Sequence, residues 1–142
     1  MNHRTTPSAS RELGWEESLR LLGSVGVGRI VFSHQALPAI RPVNHILHDG
    51  QIIVHTQPGA AVLSSLDTVV AYEADRVCED DHIAWSVIAV GIARRVRDRH
   101  EISRYHDLLR PRVRGEMTEV LRIDPELVTG LSLNGENSCP AA

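Results

Sequence analysis

The chain has 142 residues, of which 42% are hydrophobic and 23% charged, and this composition is typical of one soluble globular domain. Fifteen Lys and Arg residues against eighteen Asp and Glu residues give a net charge of −3, so we expect no nucleic-acid partner. No apolar run is long enough to span a membrane, and residues 1–10 lack the hydrophobic centre of a signal peptide. We therefore expect a cytoplasmic protein without a membrane partner.

The cysteines and histidines do not predict a metal site. Cys139 lies in a polar tail without a periodic pattern and Cys78 in an acidic loop, so we expect no disulfide framework. The eight histidines fall in separate elements, without the spacing of a zinc site. Haem binding through a histidine such as His45 or His55 is an alternative that rests only on the number of histidines.

The chain begins with a polar segment, one helix and one strand. Residues 1–12 show no periodic pattern and are predicted to be disordered. Apolar residues recur at helical spacing over residues 15–22, which predicts an amphipathic helix that ends at Gly23. Residues 25–32 then read as a strand.

A β-hairpin follows, and it is the strongest structural signal in the chain. Asp49-Gly50 separates two runs rich in β-branched residues, a pattern that predicts a two-residue type I′ turn. Such a turn places His48 opposite Gln51 and Asn44 opposite His55.

The open end of this hairpin carries residues suited to an anion. Because side chains alternate along a strand, Arg41 and Thr56 are predicted to share one face of the hairpin. A guanidinium and a hydroxyl group in proximity can hold a phosphate or a carboxylate. The alternative is that Arg41 is a solvated strand residue with a carboxylate neighbour.

The second half of the chain adds more strands and one helix. Residues 59–66 predict a short helix, residues 68–73 a strand, residues 74–82 an acidic loop and residues 83–96 a long strand that Gly91 allows to bend. These elements continue the β-rich pattern of the first half.

The last elements are predicted from capping and turn signals. Asp98 and Glu101 form a capping box for a helix that Arg110-Pro111 closes. Residues 119–123 and 127–133 predict a final strand pair around an Asp124-Pro125 turn. Six or seven mostly sequential strands with two or three short helices predict a mainly β fold, a small antiparallel barrel.

The order of these segments resembles a known family, the pyridoxamine 5′-phosphate oxidase-like, flavin-binding split barrels, in its short single-domain branch. The resemblance covers about Trp15 to Leu133 and rests on five segments: Arg20-Leu21-Leu22, Val27–Phe32, Leu37–Asn44, Val70–Glu73 and Trp85-Ser86-Val87 with the following Gly91. It implies a six- to seven-stranded antiparallel split β-barrel domain over residues 13–133, followed by a flexible tail over residues 134–142. It also implies a homodimer with a flavin in each cleft between the subunits.

The resemblance further implies a set of cofactor-binding residues. Those that match the family strands around the flavin are Arg41, Pro42, Val43, Asn44, His55, Thr56, Trp85, Ser86 and Val87. The last three match a strand that often closes the pocket from the partner subunit, although a core aromatic is the alternative for Trp85. The expected cofactor is FMN, with a deazaflavin coenzyme or no cofactor as alternatives.

The chain departs from the family pattern directly after Pro58-Gly59. Members that bind FMN usually carry Ser or Thr followed by Lys there, whereas this chain has Ala60 and Ala61. The expected function is hydride transfer between the flavin and an unknown small molecule, with no catalytic side chain assigned. The alternative is a non-catalytic dimer with weak or lost flavin binding, acting as a ligand sensor, a storage protein or a partner-binding module.

Overall fold

A computed structural model describes residues 10–80, 82–109 and 119–133. In chain order the elements are β1 (Arg11–Leu13), α1 (Trp15–Gly23), β2 (Val27–His34), β3 (Leu37–His48), β4 (Gln51–Thr56), a 3₁₀ helix (Ala61–Ser65), β5 (Val69–Val77), β6 (Ile83–Arg95), α2 (Arg99–Leu108) and β7 (Glu119–Ser132). Within these described ranges, no helix has both the length and the apolar character needed to cross a membrane.

The strands form one antiparallel sheet that closes on itself. The strand order is β1-β7-β4-β3-β2-β5-β6, and β7 also pairs with β6. Strands β2 to β7 therefore make a closed ring, while β1 lies along the C-terminal end of β7. The predicted fold class, a mainly β antiparallel fold of six or seven strands with short helices, is confirmed.

Two hydrophobic cores lie on opposite faces of the β3–β4 hairpin. The main core fills the ring and includes Tyr72, Ile52 and Leu121, none of which is exposed. The smaller core lies between α2 and the outer face of the hairpin, where Ile53 packs with Tyr105 of the helix. Because successive side chains of a strand point to opposite faces, the hairpin contributes to both cores and is buried on both sides.

The hairpin has the predicted register. Asn44 lies opposite His55, and His48 lies opposite Gln51. Asp49 and Gly50 both have positive φ angles, 50° and 75°, as a type I′ turn requires. The sequence prediction is confirmed at this element, which positions the candidate site.

The predicted final strand pair is wrong. Residues 119–132 form the single strand β7, which pairs with β6 almost along its whole length. The pairing register shifts next to Gly91, which lies opposite Pro125, and a Cβ atom at Gly91 would collide with the carbonyl oxygen of Asp124. Pro125 has no N–H group to donate to a ladder, so it marks an irregularity within the strand and not a turn between two strands.

The N-terminal prediction also needs correction. Arg11 and Glu12, assigned to the disordered segment of residues 1–12, belong to β1, which pairs with β7. The backbone pairing and the burial of Leu13 order this short segment, although its composition is polar. Three further predictions concern residues outside the described ranges. They are the disorder of residues 1–9, the helix end at Arg110-Pro111 and the tail of residues 134–142.

The β5–β6 connection differs from the predicted acidic loop in two respects. Strand β5 continues to Val77, so the connection is shorter than residues 74–82. Cys78 is disulfide-bonded, contrary to the expectation of no disulfide framework. The chain's other cysteine, Cys139, lies outside the described residues.

Candidate functional site: a cleft at the open end of the hairpin

A cleft of about 240 Å³ lies at the open end of the hairpin, and we call it the hairpin cleft. It is lined by residues from the middle of β3, from the end of β4 and from the segment that leads into the 3₁₀ helix. These residues are Arg41, Pro42, Val43, His55, Thr56, Gln57, Ala60, Ala61 and Val62.

The local sequence explains why the two strands separate here. The β3–β4 ladder ends at the Asn44–His55 pair, whereas β3 continues to pair with β2 as far as Leu37. Pro42 has no N–H group with which to extend the ladder toward β4. On the other strand, Gly59 has a φ of 75°, and this positive angle lets the chain turn away from the sheet into the 3₁₀ helix.

Two residues with anion-suited side chains, Arg41 and Thr56, line this cleft. Arg41 is exposed, and its guanidinium donates a hydrogen bond of 2.8 Å to the carbonyl oxygen of Ile40. Among the described residues that line the cleft, Arg41 is the only one with a positively charged side chain at neutral pH. Thr56 is buried and supplies a hydroxyl group. Arg41 and Thr56, which the hairpin pattern placed on one face, thus both line this cleft.

His55 is a buried imidazole on the wall of the cleft. Its side chain and backbone are only 3% exposed, and Nε2 has no hydrogen-bond partner within the part of the chain that the structure describes. The His55 ring lies 4.6 Å from the ring of His106 in α2. Burial, together with the neighbouring His106, lowers the pKa of His55 to about 4. His55 is therefore uncharged at neutral pH.

His45, on the same hairpin, has both ring nitrogens bonded. Its Nε2 donates to the carbonyl oxygen of Leu22 at 2.8 Å, and its Nδ1 accepts a short hydrogen bond from the Tyr72 hydroxyl group. Burial lowers the pKa of His45 and raises that of Tyr72, so both groups are neutral. His45 therefore belongs to the main core, and the haem alternative gains no support from it.

The other predicted site residues lie elsewhere. Asn44 is buried in the ladder opposite His55, next to the cleft but not among its lining residues. Trp85 and Val87 point into the main core, as the alternative for Trp85 proposed. Ser86 points the opposite way and lines a second cavity of about 350 Å³, together with Glu12 and Thr129.

This larger cavity is less suited to an anionic ligand. Its described lining residues include the Glu12 carboxylate and no positively charged side chain. It lies on the outer surface of β6 and β7, where Ile88 and Leu131 are exposed. The hairpin cleft is therefore the better candidate site.

Sequence reasoning missed some of the residues that the fold brings together. Gln57 and Val62 line the cleft, and their only sequence signal is that they follow predicted site residues in the chain. One ligand atom from each of Cys78, Asp80 and His82 lies within 4.8 Å of the others, which the spacing of the histidines did not reveal. Because Cys78 is disulfide-bonded, it offers no thiolate for a metal ion in this structure.

A closed antiparallel ring of strands with short helices is the architecture of the split-barrel class. Residues 14–132 match the sequence model of a family described as pyridoxamine 5′-phosphate oxidase. The chain therefore belongs to the pyridoxamine 5′-phosphate oxidase family.

Three similar proteins come from species of Mycobacterium and Corynebacterium. The uncharacterized protein Rv0080 of Mycobacterium tuberculosis is 43% identical over 98% of this chain and 97% of its own length. The FAD-binding protein of Mycobacterium smegmatis is 30% identical, with a TM-score of 0.67 over 87% of this chain and 97% of that one. A Corynebacterium glutamicum protein, provisionally named a pyridoxamine 5′-phosphate oxidase, is 33% identical, with a TM-score of 0.73 over 90% of this chain and 96% of that one.

Proposed function

We propose that this chain binds a flavin in the hairpin cleft and acts as a homodimeric oxidoreductase on a small molecule. The observation that carries the proposal is the lining of the cleft, which includes Arg41, the buried Thr56 and the buried His55, whose Nε2 has no partner among the described residues. The similarity to the FAD-binding protein of Mycobacterium smegmatis supports a flavin as the ligand.

The residues present fit the phosphate end of a flavin nucleotide. A guanidinium and a hydroxyl group are strong donors to phosphate oxygens. The buried Nε2 of His55, which has no partner among the described residues, is the kind of orphaned polar atom that a bound ligand can satisfy. When bound, a flavin supplies hydride transfer, while the chain binds it, orients it and limits access of water.

The homodimer in this proposal is supported by an apolar row on the outer face of the ring. Ile40, Val31, Ala71, Val90 and Leu127 are successive neighbours across five strands. Ile40 and Leu127, at the two ends, are 59% and 57% exposed. The row begins at Ile40, the chain neighbour of Arg41, so a second copy seated on it would lie close to the cleft. Ligand sites usually measure about 300–1,000 Å³, which favours a site that the second copy completes.

The absorption spectrum of the freshly purified protein tests this proposal. We expect a flavin spectrum, or flavin binding on titration of the apoprotein with FMN, FAD and a deazaflavin coenzyme, with the protein sedimenting as a dimer. Absence of binding by all three at high micromolar concentration would refute the proposed function.

Ala60 and Ala61 favour a second candidate function, a non-catalytic dimer that senses or stores a ligand. These alanines provide neither the hydroxyl group nor the ammonium group that the family's FMN binders usually carry after the Pro-Gly turn. A bound flavin that is neither reduced by hydride donors nor reoxidised by acceptors would support this alternative over the oxidoreductase.

A further inference from the structure

The loop between β5 and β6 brings together three side chains that can bind a metal ion. Cys78, Asp80 and His82 occupy alternate positions in the chain. The backbone N–H of Cys78 donates to the carbonyl oxygen of His82 at 2.8 Å and closes the loop beside the register shift at Arg76 and Val77. One ligand atom of each side chain lies within 4.8 Å of the others. None of the three residues lines the hairpin cleft or the larger cavity.

The imidazole of His82 has a ring nitrogen available to an ion. Its Nδ1 contacts the Asp80 carboxylate at hydrogen-bonding distance. Its Nε2 is buried and has no hydrogen-bond partner among the residues that the structure describes. Buried polar atoms in folded proteins nearly always have a partner, so an orphaned one points to an ion or a water molecule that completes the site. In metal sites, a carboxylate on one nitrogen of an imidazole commonly orients the ring toward the ion.

The types of donor favour zinc. A thiolate, an imidazole and a carboxylate are common protein ligands of Zn²⁺, and a site with three of them keeps a fourth position for water. Bonds of about 2.0–2.3 Å place the ligand atoms of a tetrahedral site roughly 3.3–3.8 Å apart, so the three atoms have to approach one another by only about 1 Å. Residues 79–81 are all acidic, and their charges attract a cation.

The disulfide of Cys78 determines whether its thiolate is available. Cys139 is the only other cysteine in the sequence, so it is the partner of Cys78 in a disulfide within one chain. The thiolate is the metal ligand, and a disulfide has none. Reduction by a dithiol adds two electrons and two protons to the disulfide and yields two thiols, while the dithiol itself becomes a disulfide. The Cys78 thiol then releases its proton to water when it binds the ion.

We propose that Cys78, Asp80 and His82 form a zinc site in the reduced protein, and that the disulfide of Cys78 closes this site in the oxidised protein. The β5–β6 loop is held by a covalent bond in one state and by a zinc ion in the other. In a reducing compartment, where thiols persist, the zinc-bound state is the expected one. This site does not depend on the proposed flavin binding.

Titration of the full-length protein with Co²⁺ and Zn²⁺ tests the proposal, before and after reduction with a phosphine that is then removed under anaerobic conditions. We expect the reduced protein to bind one ion, and the oxidised protein to bind it more weakly by about tenfold or more. The Co²⁺ complex should show the charge-transfer absorption of a cobalt–thiolate bond. The Cys139→Ser variant leaves Cys78 without a disulfide partner, so it should show the same absorption without reduction.

Removal of one ligand should weaken binding by the reduced protein. The His82→Gln variant should lose about ten- to a hundredfold in zinc affinity. The His100→Gln variant is the matched control, because His100 is exposed on α2, outside the loop, and this variant should bind zinc as the wild-type protein does. Absence of the cobalt–thiolate absorption in the Cys139→Ser variant overturns the proposal. Equal zinc affinities of the His82→Gln variant and the wild-type protein overturn it as well.

Discussion

His45 and His55 lie on the two strands of one hairpin, and both are almost completely buried, with exposed fractions of 1% and 3%. Their surroundings differ in one respect. Both nitrogens of His45 have hydrogen-bond partners, Leu22 and Tyr72, whereas Nε2 of His55 has none in the described parts of the chain. The two histidines therefore differ in whether the core satisfies their hydrogen-bonding atoms.

Physical chemistry explains why the two histidines have different roles. An unsatisfied buried polar group costs about 1–3 kcal/mol of stability, so most such groups in folded proteins have partners. His45 meets this requirement inside the ring and links α1, β3 and β5. His55 does not, and it lines the cleft that also contains Arg41 and Thr56. We infer that its missing partner is supplied by the bound ligand.

The largest expected effect is on stability, from the His45→Leu variant. This change keeps a side chain of similar bulk but leaves the Leu22 carbonyl oxygen and the Tyr72 hydroxyl group buried without their partner. We expect the free energy of unfolding at pH 7 to fall by about 2–4 kcal/mol. Urea unfolding followed by circular dichroism measures it. A loss below about 1 kcal/mol would contradict the assignment of His45 to the core network.

A fall in pH is expected to have an intermediate effect on the free energy of unfolding, because burial lowers the pKa of both histidines below the ordinary value of 6.5. The unfolded chain then binds protons more readily than the folded one. The contribution of the two neutral histidines to the free energy of unfolding is complete above pH 6.5 and is lost as the pH falls toward 4. For His55, whose pKa is about 4, the loss amounts to about 2–3 kcal/mol.

Urea unfolding of the wild-type protein and of the His55→Leu variant between pH 7 and pH 4 tests this prediction. The variant should lose less stability than the wild-type protein over this interval. It should still lose some, because His45 contributes to the pH dependence of stability in both proteins. Identical pH profiles for the two proteins would show that His55 does not titrate as an isolated buried imidazole.

The sequence predicted the hairpin well because its signals are local. A type I′ turn at Asp49-Gly50 determines the register, and the register together with side-chain alternation determines that Arg41 and Thr56 share a face. The same alternation explains the distribution of three other predicted site residues. Trp85 and Val87 face the core and Ser86 faces outward, because successive side chains of a strand point to opposite faces of the sheet.

The features that the sequence did not predict depend on long-range packing. The proximity of His55 to His106 requires α2 to lie on the outer face of the hairpin, and no local pattern specifies that contact. The continuity of β7 depends on its pairing with both β4 and β6, which outweighs the turn signal of Asp124-Pro125. At these positions the structure is therefore determined by long-range packing and strand pairing and not by the local sequence signals.

The smallest expected effect on stability is that of the His55→Leu variant at pH 7. Replacing an unpartnered buried polar group by an apolar group of similar size removes the cost of burying that group, so the free energy of unfolding should not fall. If the ligand supplies the missing partner of His55, flavin affinity should fall by about three- to tenfold, the contribution of one hydrogen bond. Calorimetric titration of the two proteins with the same flavin measures this change. Unchanged flavin affinity together with an unchanged free energy of unfolding would mean that His55 contributes neither to stability nor to flavin binding. The difference in hydrogen bonding between His45 and His55 would then have no functional consequence.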